Sequence, residues 1–390
     1  MPILTIFVLS HPGSVSAARD GASRRRARDL VDWFAVHERP LPWRIDRDPY
    51  RIWVAEVLLQ QTRVAQAVPY FERLVARYPT VQALAEAPLE ELRKLWEGAG
   101  YYRRAENLWR AAREVAGPRR GRFPTTAEGW RELPGVGPYI AGAVASLAFG
   151  ERIAAPDANA LRVAARWIGA REDPRSSAGH RRLVPLLTAS LEGVDPARFN
   201  EALMELGETV CRPRQPRCDA CPVRRDCAGG RGEVDPATLP LRRPRPPKPH
   251  HRAAVVVLER SGRWLVQQRP EGGLLPGLWE FPGGHIERGE SSEGAARREL
   301  TEETGVVAGR LTHLGAVRHA YSHFSVTLEV FRGPAARAAA VPSAARWVTP
   351  TEFEALPRPR ATVKVAALVR DSPRARSSRG SGSRRGRGSP

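Results

Sequence analysis

This chain of 390 residues has no long apolar run. A helix that crosses a bilayer takes about 20 predominantly apolar residues, and no stretch approaches that. A membrane role is therefore not expected. The start, MPILTIFVLSHPGSVSA, is briefly apolar but has no basic residues before it, so it makes a poor secretory signal. The Arg/Ser/Ala segment that follows is faintly transit-like, but a start codon called too far upstream explains it better. Residues 1–22 are expected to be disordered, and the chain is expected in a bacterial cytoplasm, at the nucleoid. Internal repeats are missing, which excludes solenoids. Lysine is almost missing too: apart from Lys94, Lys248 and Lys364, all 62 basic residues are arginine. Cysteine is confined to four residues within CRPRQPRCDACPVRRDC, residues 211–227.

What is present is charge and pattern. The formal net charge is +20. Guanidinium pairs bidentately with phosphate, so an arginine excess suits a polyanionic partner. A GC-rich genome would also write arginine for lysine, so charge alone decides little. At roughly 150 residues per domain, the length implies two or three domains. Residues 23–210 read as helix throughout, as in RIWVAEVLLQQTRVAQAVPYFERLVARY, where apolar residues recur at three and four. Thr125 and Glu128 form a capping-box pattern. After the cysteine loop, residues 228–251 contain LPLRRPRPPKPHH and read as an extended linker. From 252 to 370 the texture changes. AAVVVLE, WLVQQR and FSVTLEVF read as strands, with one amphipathic helix between. Residues 371–390 read as a disordered basic tail that adds nonspecific DNA affinity. The expected fold is an all-α domain with a cysteine loop, followed by a smaller α+β domain.

Two disulfides among Cys211, Cys218, Cys221 and Cys227 would need an oxidising compartment, and nothing exports this chain; four thiolates this close suit a metal. Their spacing leaves zinc and an iron–sulfur cluster both open. Further upstream, LPGVGPYIAGAVASLAF puts Gly135 and Gly137 in a turn between helices. The next helix start can offer free N–H groups to a phosphate. An aspartate follows about twenty residues on, in APDANALRV.

Together these resemble the helix-hairpin-helix, iron–sulfur endonuclease III superfamily. The resemblance implies a [4Fe–4S] cluster on the four cysteines. LPWR (41–44), EVLLQQT (56–62), GAGYYRRA (98–105), LPGVGPY (133–139) and the Asp157 segment narrow it to the adenine DNA glycosylase (MutY) family. That family excises adenine mispaired with 8-oxoguanine. The expected partner is therefore double-stranded DNA carrying A:8-oxoguanine or A:G mismatches, bound by a monomer.

Hydrolysis of a purine N-glycosidic bond needs an acid for the base and negative charge for the oxocarbenium-like sugar. Glu56 lies on an apolar helix beside Leu58 and Leu59, a setting that raises a carboxyl pKa and suits an acid directed at adenine N7. Asp157, near a helix start, is expected to stay ionised beside the sugar. Taken singly, the first is an ordinary helix-face carboxylate and the second an ordinary N-cap. Position 139 is a lysine nucleophile in the bifunctional branch of the superfamily. Tyr139, with no lysine nearby, implies a monofunctional enzyme. The resemblance further implies that Tyr139 and Asn159 support the transition state and that Glu201 holds the extruded adenine. It makes Trp43, Arg44, Gly135 and Gly137 contacts to DNA or base, and it makes Gln60, Gln61 and Tyr101 wedges in the stack. Two departures stand out. The usual Asp-Gly-Asn reads Asp157-Ala158-Asn159, and Ala99 replaces a common leucine, which softens contact on the 8-oxoguanine side.

The last third resembles a Nudix domain. In the family this domain reads 8-oxoguanine through a loop that HAYSHF, 319–324, resembles; Ser322 and His323 are the candidate contacts. The Nudix box is complete from Gly284 through Glu290 and Arg298-Glu299-Leu300 to Gly305-Val306. On a helix, Glu299, Glu302 and Glu303 share a face, and their repulsion suggests Mg²⁺. RPEGGLLPGLWEFPGG also resembles active hydrolases that clear oxidised nucleotides. Three readings follow: a glycosylase with a lesion-reading domain, a fusion that also hydrolyses oxidised purine triphosphates, and a lesion binder without activity. Intact Glu56 and Asp157 oppose the third.

Overall fold

The structure, a computed structural model, describes residues 12–241, 246–336 and 341–372. It forms two compact units, Met1–Pro246 and Pro247–Pro390. The first is helical. Its helices are α1 (Pro12–His37), α2 (Pro49–Leu59), α3 (Val64–Arg77), α4 (Val81–Glu86), α5 (Leu89–Leu95), α6 (Arg103–Ala116), α7 (Ala127–Arg131), α8 (Pro138–Phe149), α9 (Ala158–Trp167), α10 (Ser177–Ala189) and α11 (Pro196–Thr209).

Two apolar helices form the centre. In α2, Asp48 caps the start by accepting from Arg51 N, and Pro49 supplies the helical φ at the first position. Every residue from Ile52 to Leu58 is buried, Glu56 included. Helix α8 is as apolar, begins with Pro138 and stops at Gly150, whose φ of +71° suits glycine. These two pack together, and α8 and α9 both pack on α11. Beside them, Leu30, Phe34, Leu161, Leu183, Phe199 and Leu203 join one core, which reaches Val223 and Cys227 in the cysteine loop.

Three expectations change here. Residues 12–22, expected to be disordered, run into α1, which is anchored further on by buried Ala27, Leu30 and Phe34; residues 1–11 lie outside the described residues. The cap of α7 is Thr126, not Thr125: its side chain accepts from Gly129 N, while Ala127 N donates to Glu151. Residues 228–241 are not an extended linker. Ala228 and Leu239 are buried, Asp235 caps a short turn at Pro236–Thr238, and Leu239 O accepts from Arg166 Nε. Ala228 N and Gly229 N donate to Trp167 O and Arg166 O, which ties this segment back onto the end of α9. Residues 242–245 of that linker lie outside the described residues.

The second unit holds a seven-stranded sheet. Its strands are β1 (His250–Arg260), β2 (Arg263–Gln268), β3 (Trp279–Glu280), β4 (Gly283–His285), β5 (Thr312–Ala320), β6 (Ser325–Pro334) and β7 (Ala345–Val348). The order is β3-β2-β1-β6-β5, with β4 also on β1 and β7 on β2. Strands β1 and β6 are parallel, with His250 opposite Ser325, and the other pairs are antiparallel. The parallel pair is buried on both faces, as continuous apolar runs require. One face packs Val257, Phe281 and Val330 against Phe353 and Val365. The other packs Val256, Leu258 and Phe331 against Ala296 and Leu300. Those faces are covered by α13 (Pro350–Ala355) and α14 (Arg360–Asp371), and by α12 (Ser292–Thr304). The single helix expected among the strands is α12; the two later helices are additional. The basic tail from 373 lies outside the described residues.

Candidate active site

A cleft of about 690 Å³ opens between α2, α8, α9 and α11, lined by Trp43, Glu56, Gln60, Gln61, Tyr139, Asp157, Asn159 and Glu201. Residues separated by up to 158 positions in sequence therefore meet in one cavity.

Glu56 is 3% exposed. Burial dominates its titration and pushes its carboxyl up to about 7; the hydrogen bond from Tyr139 opposes this, and the charges of Asp157 and Glu201 add to it. Tyr139 Oη donates to Glu56 Oε2 at 2.5 Å and lies 3.9 Å from Met204 Sδ. Its own phenol is held well above the usual range, first by burial and then by Glu56. Tyr139 thus stays protonated at neutral pH, and Glu56 holds its proton into the neutral range.

Asp157 caps α9: its Oδ1 accepts from Ala160 N at 2.6 Å and its Oδ2 from Asn159 Nδ2 at 3.0 Å. The expectation here is a carboxylate that stays ionised beside the sugar. Burial raises its pKa, while the Ala160 and Asn159 N–H groups and Arg162 pull the other way. Ala158 occupies the first helical position, where alanine needs no glycine freedom, so that departure from the family pattern is harmless. Gly207 matters more: a Cβ there would meet Asn159 Cβ at 2.6 Å. Asn159 is then fixed from behind, because its Oδ1 accepts from Arg162 Nη2 at 2.9 Å. The same guanidinium donates to Gly207 O and Cys211 O. Arg162 therefore links the Asp157 cap to the start of the cysteine loop.

The carboxylates on α11 carry their own cations. Glu205, 1% exposed, accepts from Arg39 and, at 3.0 Å, from Arg44. Arg44 also lies 3.4 Å from Glu201 and 5.1 Å from the Phe34 ring. Arg44 lines the same cleft, with its charge shared between Glu205 and Glu201. Burial still raises Glu201. Trp43 is buried edge-on to Phe71 and lines the cleft. Arg39 and Glu205, which the sequence reading missed, are 166 residues apart. Only the short distance of Arg39 from LPWR hinted at them.

Gln61 and Tyr101 both have left-handed backbones, with φ of +61° and +50°, an uncommon and strained state for such residues. Tyr101 is 39% exposed, so it is not core packing. One unread residue organises both turns. Arg104 donates to the carbonyls of Val57, Leu58 and Gln60 at the end of α2, and to Ala99 and Gly100 before Tyr101. It also lies over the Tyr101 ring at 5.4 Å. In the hairpin, Gly135 has φ of +74°, and a Cβ there would strike Asn107. Gly137 has ordinary φ and open space around it, directly before the N-terminus of α8.

All four cysteines line a small apolar cavity with Val163, Trp167 and Leu206. Arg166 Nη1 donates to Cys211 Sγ at 3.2 Å.

In the second unit, Ser322 and His323 are exposed in the turn that joins β5 to β6, with Ser322 Oγ 3.2 Å from His323 Nδ1. Tyr321 N donates to Phe324 O, closing the turn. On α12, Arg298 donates to Glu290, to Glu299 at 2.9 Å and to Glu302 at 3.2 Å, and Glu303 accepts from Gly283 N at 2.9 Å. One guanidinium thus offsets part of the repulsion among these carboxylates. Gly284 sits against the same group: a Cβ there would lie 2.3 Å from the Glu299 carboxyl and push it aside.

Comparison with known proteins places this geometry. Residues 54–186 match the HhH-GPD superfamily base excision DNA repair protein family, and residues 253–368 match the NUDIX domain. The adenine DNA glycosylase of Mus musculus is 37% identical over 384 residues, covering 83% of this chain and 74% of the relative. That of Homo sapiens is 36% identical, covering 83% and 70%. A solved thermostable thymine-DNA glycosylase superposes on 55% of this chain and 99% of its own, with a TM-score of 0.50 and 29% identity. A helical HhH-GPD unit whose cleft joins Glu56, Tyr139 and Asp157, followed by a Nudix domain, makes this chain a member of the adenine DNA glycosylase family.

Proposed function

We propose that this protein hydrolyses the N-glycosidic bond of adenine mispaired with 8-oxoguanine, and of adenine mispaired with guanine, without cutting the strand. The observation that carries this is Glu56: a buried carboxyl whose pKa sits at about 7, bonded to Tyr139 in a cleft that also holds Asp157. At neutral pH it has a proton to give and a modest cost for giving it. Glu56 protonates adenine N7. The C1′–N9 bond then breaks with its electron pair moving to the base. Asp157 and the Tyr139 hydroxyl face the oxocarbenium-like sugar, water adds to C1′, and its proton returns to carboxylate. Tyr139 offers no amine for a Schiff base, so no lyase step follows.

Extruding adenine costs a few kcal/mol. Gln60, Gln61 and Tyr101, held by Arg104, would wedge the vacated stack, while Glu201 orients the base. The N–H groups at the start of α8 would take a backbone phosphate. Cys211, Cys218, Cys221 and Cys227 share one apolar cavity, as the four thiolate ligands of a [4Fe–4S] cluster would. When bound, the cluster supplies a cross-link that closes residues 211–227. Ser322 and His323 would read the oxidised base.

Single-turnover assays on duplexes with adenine opposite 8-oxoguanine, guanine and thymine test the proposal. Base release on the first two, with no strand break before alkali, is expected. Equal release opposite thymine would overturn the mismatch specificity.

A further inference from the structure

A groove of about 540 Å³ runs along the outer end of β5 and β6, beside the Tyr321–Phe324 turn. It is lined by His250, Arg318, His319, Ser325, Thr327 and Lys364, with Ala320 and Val326 in its floor. None of its lining residues is acidic. The nearest acid along β6 is Glu329, which His313 holds at 2.9 Å and Arg252 at 3.6 Å. Lys364 is anchored with Nζ on Arg318 O at 3.1 Å. Arg360 belongs to the same field: its charge and that of Lys364 depress the His319 pKa, after burial. Positive charges gathered without a counter-charge destabilise the fold unless an anion joins them.

The hydroxyls give the groove direction. His250 Nδ1 lies 2.9 Å from Ser325 Oγ, and its Nε2 lies 3.2 Å from Thr327 Oγ1. A neutral imidazole donates from only one nitrogen. One of the two hydroxyls therefore accepts from the ring and keeps its own proton for an outside acceptor. Arg, Lys, Ser and Thr along an open trough are the groups that hold phosphate and sugar rather than base edges. The turn that carries Ser322 and His323 follows β5 directly.

We propose that this groove holds the sugar–phosphate backbone of DNA next to the base read by the 321–324 turn. The proposal rests on the DNA reading above, and it assigns the domain a second, sequence-blind contact. The two contacts make opposite signatures. Backbone contacts weaken all duplexes alike and lower the salt dependence; base contacts weaken one duplex and leave the salt slope alone.

The test is fluorescence anisotropy of the full-length protein from low to moderate salt. The probes are duplexes with an abasic analogue opposite 8-oxoguanine or opposite guanine. Arg318→Gln and Lys364→Gln should each weaken both probes by the same factor. Each should also reduce the slope of log K against log salt by about 0.9 per lost phosphate contact. Ser322→Ala should weaken only the 8-oxoguanine probe. Melting curves separate binding loss from misfolding. Thr327→Val, which keeps shape and charge, is the second variant if Lys364→Gln melts early, and it too should weaken both probes. Unchanged affinity and slope in Arg318→Gln and Thr327→Val would overturn the proposal and leave the groove to an acidic protein surface. Loss confined to the 8-oxoguanine probe would overturn it too. If wild type excised no adenine but the slopes changed as stated, the groove assignment would stand while the catalytic reading fell.

Discussion

Two of the protein's acidic clusters behave in opposite ways. In the cleft of the first unit, Glu56 and Asp157 are buried with no cation bonded to either, and burial raises both pKa values. On α12 of the second unit, Glu290, Glu299 and Glu302 share the guanidinium of Arg298, and Glu290 is held below the usual range by that arginine. The first cluster stores a proton, and the second shares one guanidinium among three carboxylates. The difference lies in the partner, not in the acid. An arginine one residue away in the motif keeps its carboxylates ionised, whereas an apolar helix face leaves a carboxyl free to act as an acid.

The largest effect that sharpens this contrast is expected at Glu56. Glu56→Gln should lower adenine excision about 10²–10⁴-fold, with duplex binding retained. It should also stabilise the protein. The folded-state pKa is raised, so wild-type stability falls as pH rises from the unfolded carboxyl pKa to about 7. A glutamine escapes that loss, which is on the order of 3 kcal/mol. The variant should therefore melt above wild type at pH 8 and level with it at pH 4. A lower melting point at both values would break the comparison.

Next comes Asp157→Asn. Asparagine can still accept from Ala160 N, so the cap of α9 should survive while the charge is lost. Excision should fall about 10²-fold with little change in melting temperature; a fully active variant would remove Asp157 from the chemistry. Tyr139→Phe should act less on rate, about tenfold, and more on pH. The Tyr139 bond lowers the Glu56 pKa, so its removal should carry the declining limb of the rate to higher pH. A shift to lower pH would contradict the assigned donor. The smallest effect concerns the other cluster. Arg298→Gln should lower the melting temperature by about 2 °C and leave excision unchanged. Millimolar Mg²⁺ should restore the loss in the variant and do nothing in wild type. A Mg²⁺ shift already present in wild type would show that the box takes a metal with Arg298 in place.

Much of the cleft was legible because its residues sit in local patterns. Glu56 stood out as a carboxyl inside an apolar helical run, Asp157 as a residue just before a helix, and Gly135 as a turn needing positive φ. Position 139 was informative through what it is not. The unreadable part is the pairing between distant segments. Arg39 meets Glu205, Arg104 meets the end of α2, and Arg162 meets Cys211, at separations of 166, 44 to 47, and 49 residues. No periodicity encodes such contacts. The segment 228–241 misled because proline and arginine dominate its end, while buried Ala228 and Leu239 decide its fate. Arg298 was quoted as part of the box, but its geometry depends on χ angles that reach back along α12 and across to Glu290. The strands β1, β2 and β6 were visible as β-branched runs; β3 and β4, of two and three residues, are too short to carry a pattern.

The central claim is that Glu56 acts as a neutral, buried acid. The most direct measurement is the single-turnover rate of adenine release from an A:8-oxoguanine duplex between pH 5 and 9, in wild type and in Glu56→Gln. The account predicts a wild-type rate that declines as pH rises through about 7 and a glutamine variant without that limb and without appreciable release. A wild-type rate that is flat across the range, or release by Glu56→Gln at the wild-type rate, would contradict it.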